Sequence, residues 1–203
     1  MHTAVRFPFI LLLASLTVST LQAQDGENEK QGFIGVSLGT GQMSAVQYKG
    51  TPVESAVASG MVTSHLRLGY FINESLAIES GLMNLAGSAR FQRDDTLQVF
   101  RLSRTAIPLS VVTYLQRAKA FSPYAKLGGY WVATGRAISL KPGQGGTADL
   151  RSSFGVTAAF GLRYRPDAHW SYHLSAEVFQ NLGPAKLQTA GFSLQVGLEY
   201  ALF

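Results

Sequence analysis

No cysteine occurs in the 203 residues, which excludes disulfides and thiolate metal ligands and leaves the redox compartment open. Charge is scarce as well. Asp, Glu, Lys and Arg make up 14% of the chain, thin cover for a surface that meets water on every side. The net charge of +5 comes from basic residues scattered along the chain, with no Lys/Arg run interleaved with aromatics, so nucleic acid is not an expected partner. Long apolar runs are also missing: the longest, Phe7 to Val18, falls well short of the about 20 residues a membrane-spanning helix needs.

That one run has a different context. "MHTAVRFPFILLLASLTVSTLQAQ" opens with His2 and Arg6, continues through the apolar stretch and reaches a small residue, Ala23, before Gln24. It reads as a cleavable signal peptide over residues 1–23, followed by a polar lead-in over 24–31 that contains "DGENEK". The remaining domain is expected over 32–203.

Glycine is plentiful, at 21 residues, and the apolar residues of the remaining chain recur with period two. Near the end, Phe192, Leu194, Val196, Leu198, Tyr200 and Leu202 alternate with Ser193, Gln195, Gly197, Glu199 and Ala201. "SSFGVTAAFGLRY" behaves alike, with Phe154, Val156, Ala158, Phe160, Leu162 and Tyr164 on one face and Gly155, Thr157, Ala159, Gly161 and Arg163 on the other. Eight such segments are expected, about 32–40, 61–71, 76–90, 97–114, 123–136, 152–164, 170–180 and 189–203. Their connections alternate between compact turns (72–75, 115–122 and 165–169) and generally longer Gly-rich loops, expected at 41–60, 91–97, 137–151 and 180–188. Two-sided membrane barrels show this alternation.

A secreted soluble barrel has the same period, but its second face should be crowded with Lys, Glu and Asp. In 152–164 that face carries small residues and one arginine, which suits the narrow, side-chain-filled interior of an eight-stranded barrel. The fold class is therefore all-β, an eight-stranded antiparallel up-and-down transmembrane β-barrel. Aromatics point the same way, because amphipathic rings favour membrane interfaces. Tyr70, Phe71, Tyr114, Phe121, Tyr124, Tyr164, Trp170, Tyr172, Tyr200 and Phe203 are expected on the short-turn rim, and Phe91, Phe100, Trp131, Phe154, Phe179 and Phe192 on the opposite one.

"GYFINESLAIESGL", "RTAIPLSVVTYL", "SPYAKLGGYW" and the closing strand resemble the hairpin phrases of small OmpA-like and OmpX-like single-domain outer-membrane barrels, in particular the porin-family barrels of Bacteroidota-type bacteria. The resemblance spans about 32–203. It implies a Gram-negative outer membrane reached through the periplasm, outer-membrane lipids and lipopolysaccharide as surroundings, and an assembly machinery that reads the terminal segment Tyr200, Leu202 and Phe203. In such barrels the last and third-last residues are commonly aromatic. Here the third-last is Ala201, so the register is shifted.

Assigning faces by alternation puts His65, Arg67, Glu79, Arg104, Lys126, Arg163, His173, Glu177, Gln195 and Glu199 inside. Charges of both signs within a low-dielectric wall survive by pairing, which predicts a structural polar plug rather than a conducting pore. The expected role is structural or interactive, through the outer loops, with an extracellular ligand that the sequence does not name; a narrow porin or small-solute channel is the alternative. A third reading is hydrolytic: "YHLSAEV" places His173, Ser175 and Glu177 on one face, and barrel-type lipid A deacylases carry a similar His-x-Ser element. Ala176 replaces the Asn that follows Ser in that motif, and the residues face inward, so no enzymatic activity is expected. "GVSLGTG" lacks the helix and spacing of a nucleotide loop, and the four histidines lack metal-ligand spacing. No cofactor or metal is implied.

Overall fold

The structure is a computed structural model that describes residues 32–53, 55–93, 96–115, 120–140, 147–149, 153–182 and 187–202. The expected signal peptide, the lead-in and Phe203 lie outside the described residues. Eleven strands follow in chain order: β1 (Gly32–Tyr48), β2 (Thr51–Pro52), β3 (Ser55–Val57), β4 (Ser59–Phe71), β5 (Leu76–Arg93), β6 (Thr96–Tyr114), β7 (Phe121–Ser139), β8 (Thr147–Asp149), β9 (Phe154–Tyr164), β10 (Trp170–Asn181) and β11 (Leu187–Ala201). The eight long ones form the wall. Each pairs antiparallel with the next, and β11 returns to β1 from Phe33↔Ala201 to Tyr48↔Leu187, so the sheet closes. Closure leaves no wall edge with unpaired backbone groups, which hydrocarbon would not tolerate.

The register fixes the shape of that closure. Followed partner by partner, Phe33 leads to Gly69, Glu79, Ser110, Gly128, Thr157, Phe179 and Gly191, and returns to β1 at Met43. One circuit thus climbs from position 33 to position 43. A stagger of this size over eight strands tilts them by about 40° and leaves an interior just wide enough for side chains.

Alternation then sorts the side chains. Phe154, Val156, Phe160, Leu162 and Tyr164 of β9 face outward, as do Phe192, Leu194, Val196 and Tyr200 of β11, while Thr157, Ala159, Arg163, Ser193, Gln195 and Glu199 between them are buried. The outer surface is apolar because its solvent is lipid, not water.

The aromatic rims divide between the two faces. Tyr70, Phe121, Tyr164, Trp170, Tyr172 and Tyr200 point outward at the short-turn end, but Phe71, Tyr114 and Tyr124 point inward. At the other end Trp131, Phe154 and Phe192 are outside, whereas Phe91, Phe100 and Phe179 are buried. Consecutive strand residues face opposite ways, so a rim rich in aromatics feeds both a girdle and the interior.

The wall is uneven in height. About 9–11 residues carry a tilted strand across a membrane; β9 and β10 have 11 and 12, whereas β5, β6 and β7 have 18, 19 and 19. The surplus of those three rises above the long-loop rim, flanked by β3 on β5 and β8 on β7. The expected loops shrink accordingly. Residues 41–48 continue β1, because β11 offers ladder partners up to Tyr48 and β4 up to Met43, and the 91–97 connection reduces to the step between Arg93 and Thr96. In "GQMSAVQY" the outward positions Gln42 and Ser44 are polar and only Val46 is apolar, because little of the stretch meets lipid.

Two of the short turns use one device. In "INES" the Asn73 side-chain oxygen accepts from the backbone N–H groups of Ser75 and Leu76, both at 2.8 Å. In "RPDAH" the Asp167 carboxylate accepts from Trp170 at 2.7 Å and His169 at 2.8 Å, which holds it below the usual carboxylate range. Near mid-wall the β5–β6 pairing is interrupted between Ser80↔Leu109 and Met83↔Ala106. Pro108 has no N–H to give there, Ser80 donates its hydroxyl to the Pro108 carbonyl at 2.8 Å, and Gly81 adopts a φ of 144°. A Cβ at Gly81 would lie 1.9 Å from the Leu66 carbonyl oxygen. Gly81→Ala is therefore expected to destabilise the barrel by about 1–3 kcal/mol, read from the urea midpoint of the protein refolded in vesicles; an unchanged midpoint would mean the interruption relaxes freely.

Candidate functional site

Among the described residues the interior gathers the buried ionisable side chains, and it is built in three layers. The first, at the short-turn end, is aromatic: Phe33, Phe71, Tyr114 and Tyr124 form a chain of rings with centroids 5.3–5.6 Å apart, backed by Ala77 and Val112. They come from β1, β4, β6 and β7, whose inward positions converge where the barrel narrows to its turns.

The second layer is ionic. Arg67 of β4 donates to Glu79 of β5 through Nε at 2.9 Å and through Nη2. Its Nη1 meets the ring nitrogens of His173 at 2.9 and 3.1 Å, and Nη2 lies 3.8 Å from Glu199. Since guanidinium only donates, the His173 ring accepts. Arg163 Nη2 approaches Glu199 Oε1 at 2.7 Å. Lys126 Nζ bridges Glu177 at 3.0 Å and Glu79 at 3.7 Å, and His65 Nε2 stands 3.7 Å from Glu177. Thr157 and Gln195 also donate to Glu177, and Ser37 donates to Gln195 at 3.2 Å. Three cations, Arg67, Lys126 and Arg163, thus face three carboxylates, Glu79, Glu177 and Glu199. This layer is charge-balanced. It joins the first through cation–π contacts, with Arg163 5.5 Å from the Phe71 and Tyr114 rings and Arg67 5.9 Å from Phe33.

Small residues make room for this density. A Cβ at Gly197 would come within 2.1 Å of His173 Nε2 and 2.2 Å of its Cε1, so the imidazole occupies the space that a glycine of β11 leaves open.

The third layer is apolar and faces the long loops. Met43, Met61, Met83, Leu85, Tyr130, Val132 and Phe179 fill the barrel, and the cluster continues through Phe91, Phe100 and Leu102 into the raised part of β5 and β6. Tyr48, beside the short β2, closes it from above, its ring 5.3 Å from Phe91 and 5.5 Å from Phe100.

All ten side chains assigned inward by alternation are buried in the interior. Nine belong to the ionic layer. Arg104 does not: among the described residues it reaches no carboxylate, and it donates instead to the Thr189 hydroxyl at 2.8 Å and the Leu187 carbonyl at 3.4 Å, within the third layer. Alternation gives the face of a residue but not its height, and at Arg104's height the neighbours are apolar. The two apolar layers are what the polar-plug reading missed. Their signal was present, in Met43, Met61, Met83 and Phe91 at inward parity.

The would-be hydrolytic residues are otherwise engaged. His173 binds Arg67, Ser175 hydrogen-bonds Tyr124, and Glu177 is held by Lys126. A nucleophile needs its base within reach and oriented toward it; this imidazole is committed to a guanidinium.

Known structures share the wall. Neisserial surface protein A is 13% identical, covers 83% of this chain with 96% of its own, and superposes with a TM-score of 0.55. OprG of Pseudomonas aeruginosa is 13% identical, with 87% and 98% covered and a TM-score of 0.52. Ail, the attachment invasion locus protein of Yersinia pestis, is 14% identical, with 86% and 99% covered and a TM-score of 0.50. At such identities the likeness is one of fold. No curated protein matches the chain. The outer membrane protein beta-barrel domain is matched over residues 11–200, and that match, together with the closed eight-stranded wall and its lipid-facing exterior, establishes that the chain belongs to this family and resides in a Gram-negative outer membrane.

Proposed function

We propose that the protein is a closed, non-catalytic barrel that acts through the sheet it raises above the outer rim. The observation that carries this reading is the filled interior: an aromatic layer, a charge-balanced ionic layer and a Met/Phe layer follow one another along the axis. A solute would have to displace buried rings at both ends and break paired charges between them. The short turns face the periplasm and the taller strands the exterior, as in other bacterial barrels. Interaction surfaces are then the β3–β5–β6–β7–β8 sheet and the β1–β2 hairpin. In the same reading the outward-facing Tyr200 and Leu202, with Phe203, serve the assembly machinery, and Tyr200 packs against Trp170 with centroids 4.9 Å apart.

Planar-bilayer recording of the refolded protein tests the closed lumen. No stepwise conductance is expected for the native chain. Regular single-channel steps would replace this reading with that of a narrow porin.

A further inference from the structure

Three arginines stand on the outer face of the raised strands: Arg90 on β5, Arg101 on β6 and Arg136 on β7, all exposed. Arg90 pairs with Val99 and Arg136 with Ser103, so each lies two residues of register from Arg101. On a flat sheet that is a diagonal. In this barrel the circuit climbs from position 33 to 43 over the eight strands, so the hydrogen-bonded partner on the next strand is a little more than one residue higher. The diagonal and the climb nearly cancel, leaving roughly 2 Å of height per step. The three guanidiniums therefore form a row almost parallel to the membrane.

The height of the row is set by β7. Its outward face runs from Phe121 to Trp131, which at this tilt spans about 24 Å, the thickness of the apolar band of such barrels. Arg136 follows five positions after Trp131, one of them absorbed by the bulge between Val132 and Thr134. It is about 10 Å above the girdle, where headgroups and not acyl chains touch the wall. The outward neighbours Ser88, Gln92, Val99, Ser103, Thr134 and Ile138 carry no charge. Asp149 holds the register position opposite Arg136, which leaves Arg90 and Arg101 as the stronger part of the row.

The geometry points to a binding site for the phosphate groups of an outer-leaflet glycolipid of the lipid A class. Guanidinium forks match phosphate oxygens bidentately, and a row of them at one height, facing outward, fits a ligand whose phosphates are themselves fixed in a plane. This inference rests on outer-membrane placement and is independent of the closed lumen.

The test uses the refolded full barrel in phosphatidylcholine nanodiscs, titrated with bis-phosphorylated lipid A, dephosphorylated lipid A and inorganic phosphate, with bound lipid counted by native mass spectrometry. Bis-phosphorylated lipid A should bind, the dephosphorylated form should not, and inorganic phosphate should not displace it at matched concentration. R90Q/R101Q should weaken binding about tenfold or more, and Arg101→Lys should weaken it less. Arg165→Gln, in the short turn at the opposite end of the barrel, should change nothing. Heat-modifiable gel mobility verifies that each variant is folded. Equal affinity of R90Q/R101Q and the native chain, or equal binding of dephosphorylated lipid A, would overturn the site. Displacement by inorganic phosphate would overturn the lipid as its occupant.

Discussion

Arg67→Ala is expected to destabilise the folded barrel by about 3–5 kcal/mol, the cost of leaving a buried carboxylate without its partner. Arg67 is the hub of the ionic layer: it donates twice to Glu79, holds the His173 ring at 2.9 Å and lies 3.8 Å from Glu199. Removing it leaves Glu79 with Lys126 at 3.7 Å and turns a layer of three cations and three anions into one with a net negative charge. Arg104→Ala removes as large a side chain but strands no carboxylate, only a threonine hydroxyl and a backbone carbonyl, so its cost should be smaller, about 1–3 kcal/mol. Urea titration in lipid vesicles, followed by the fluorescence of Trp131 and Trp170, measures both. Comparable losses would mean that the charges are not coupled. A double-mutant cycle across Arg67 and Glu79 sharpens the comparison, since removing both partners should cost clearly less than the sum of the single losses.

The contrast between Arg67 and Arg104 also marks how far the sequence could be read. Period two separates lipid-facing from interior residues wherever one face is uniformly apolar, as in β9 and β11, and it assigned all ten polar side chains to the interior. It does not give height. Whether an inward arginine meets Glu79 or a ring of Met and Phe depends on the stagger of the closed sheet, which follows from pairings between strands and not from any one of them. For the same reason the aromatic rims were only half legible. Tyr70 and Phe71 are adjacent in sequence and both near the turn, yet one is in the girdle and the other in the interior. The raised strands were hidden differently. Above the rim the outward positions Arg90, Arg101, Ser103 and Arg136 no longer contact acyl chains, so the alternation that announces a membrane strand fades although the ladder continues.

The lipid-facing side makes its own prediction, and it depends on depth. Val196 of β11 is exposed and lies midway between Tyr200 at one rim and Phe192 at the other, so its side chain meets the bilayer midplane. Val196→Arg should cost about 2–4 kcal/mol, because no water reaches a guanidinium there and even a long side chain has the farthest to snorkel. Gln42 of β1 is also outward and exposed, but it pairs with Phe192 at the outer rim. Gln42→Arg should therefore cost about 0–1 kcal/mol. The two substitutions introduce the same charge on neighbouring strands and on the same face, and they differ only in depth. Urea titration of both in vesicles reads the gradient directly. Equal costs would mean that the apolar belt between Tyr200 and Phe192 is not centred on the bilayer, and the height assigned to the arginine row would then have to shift with it.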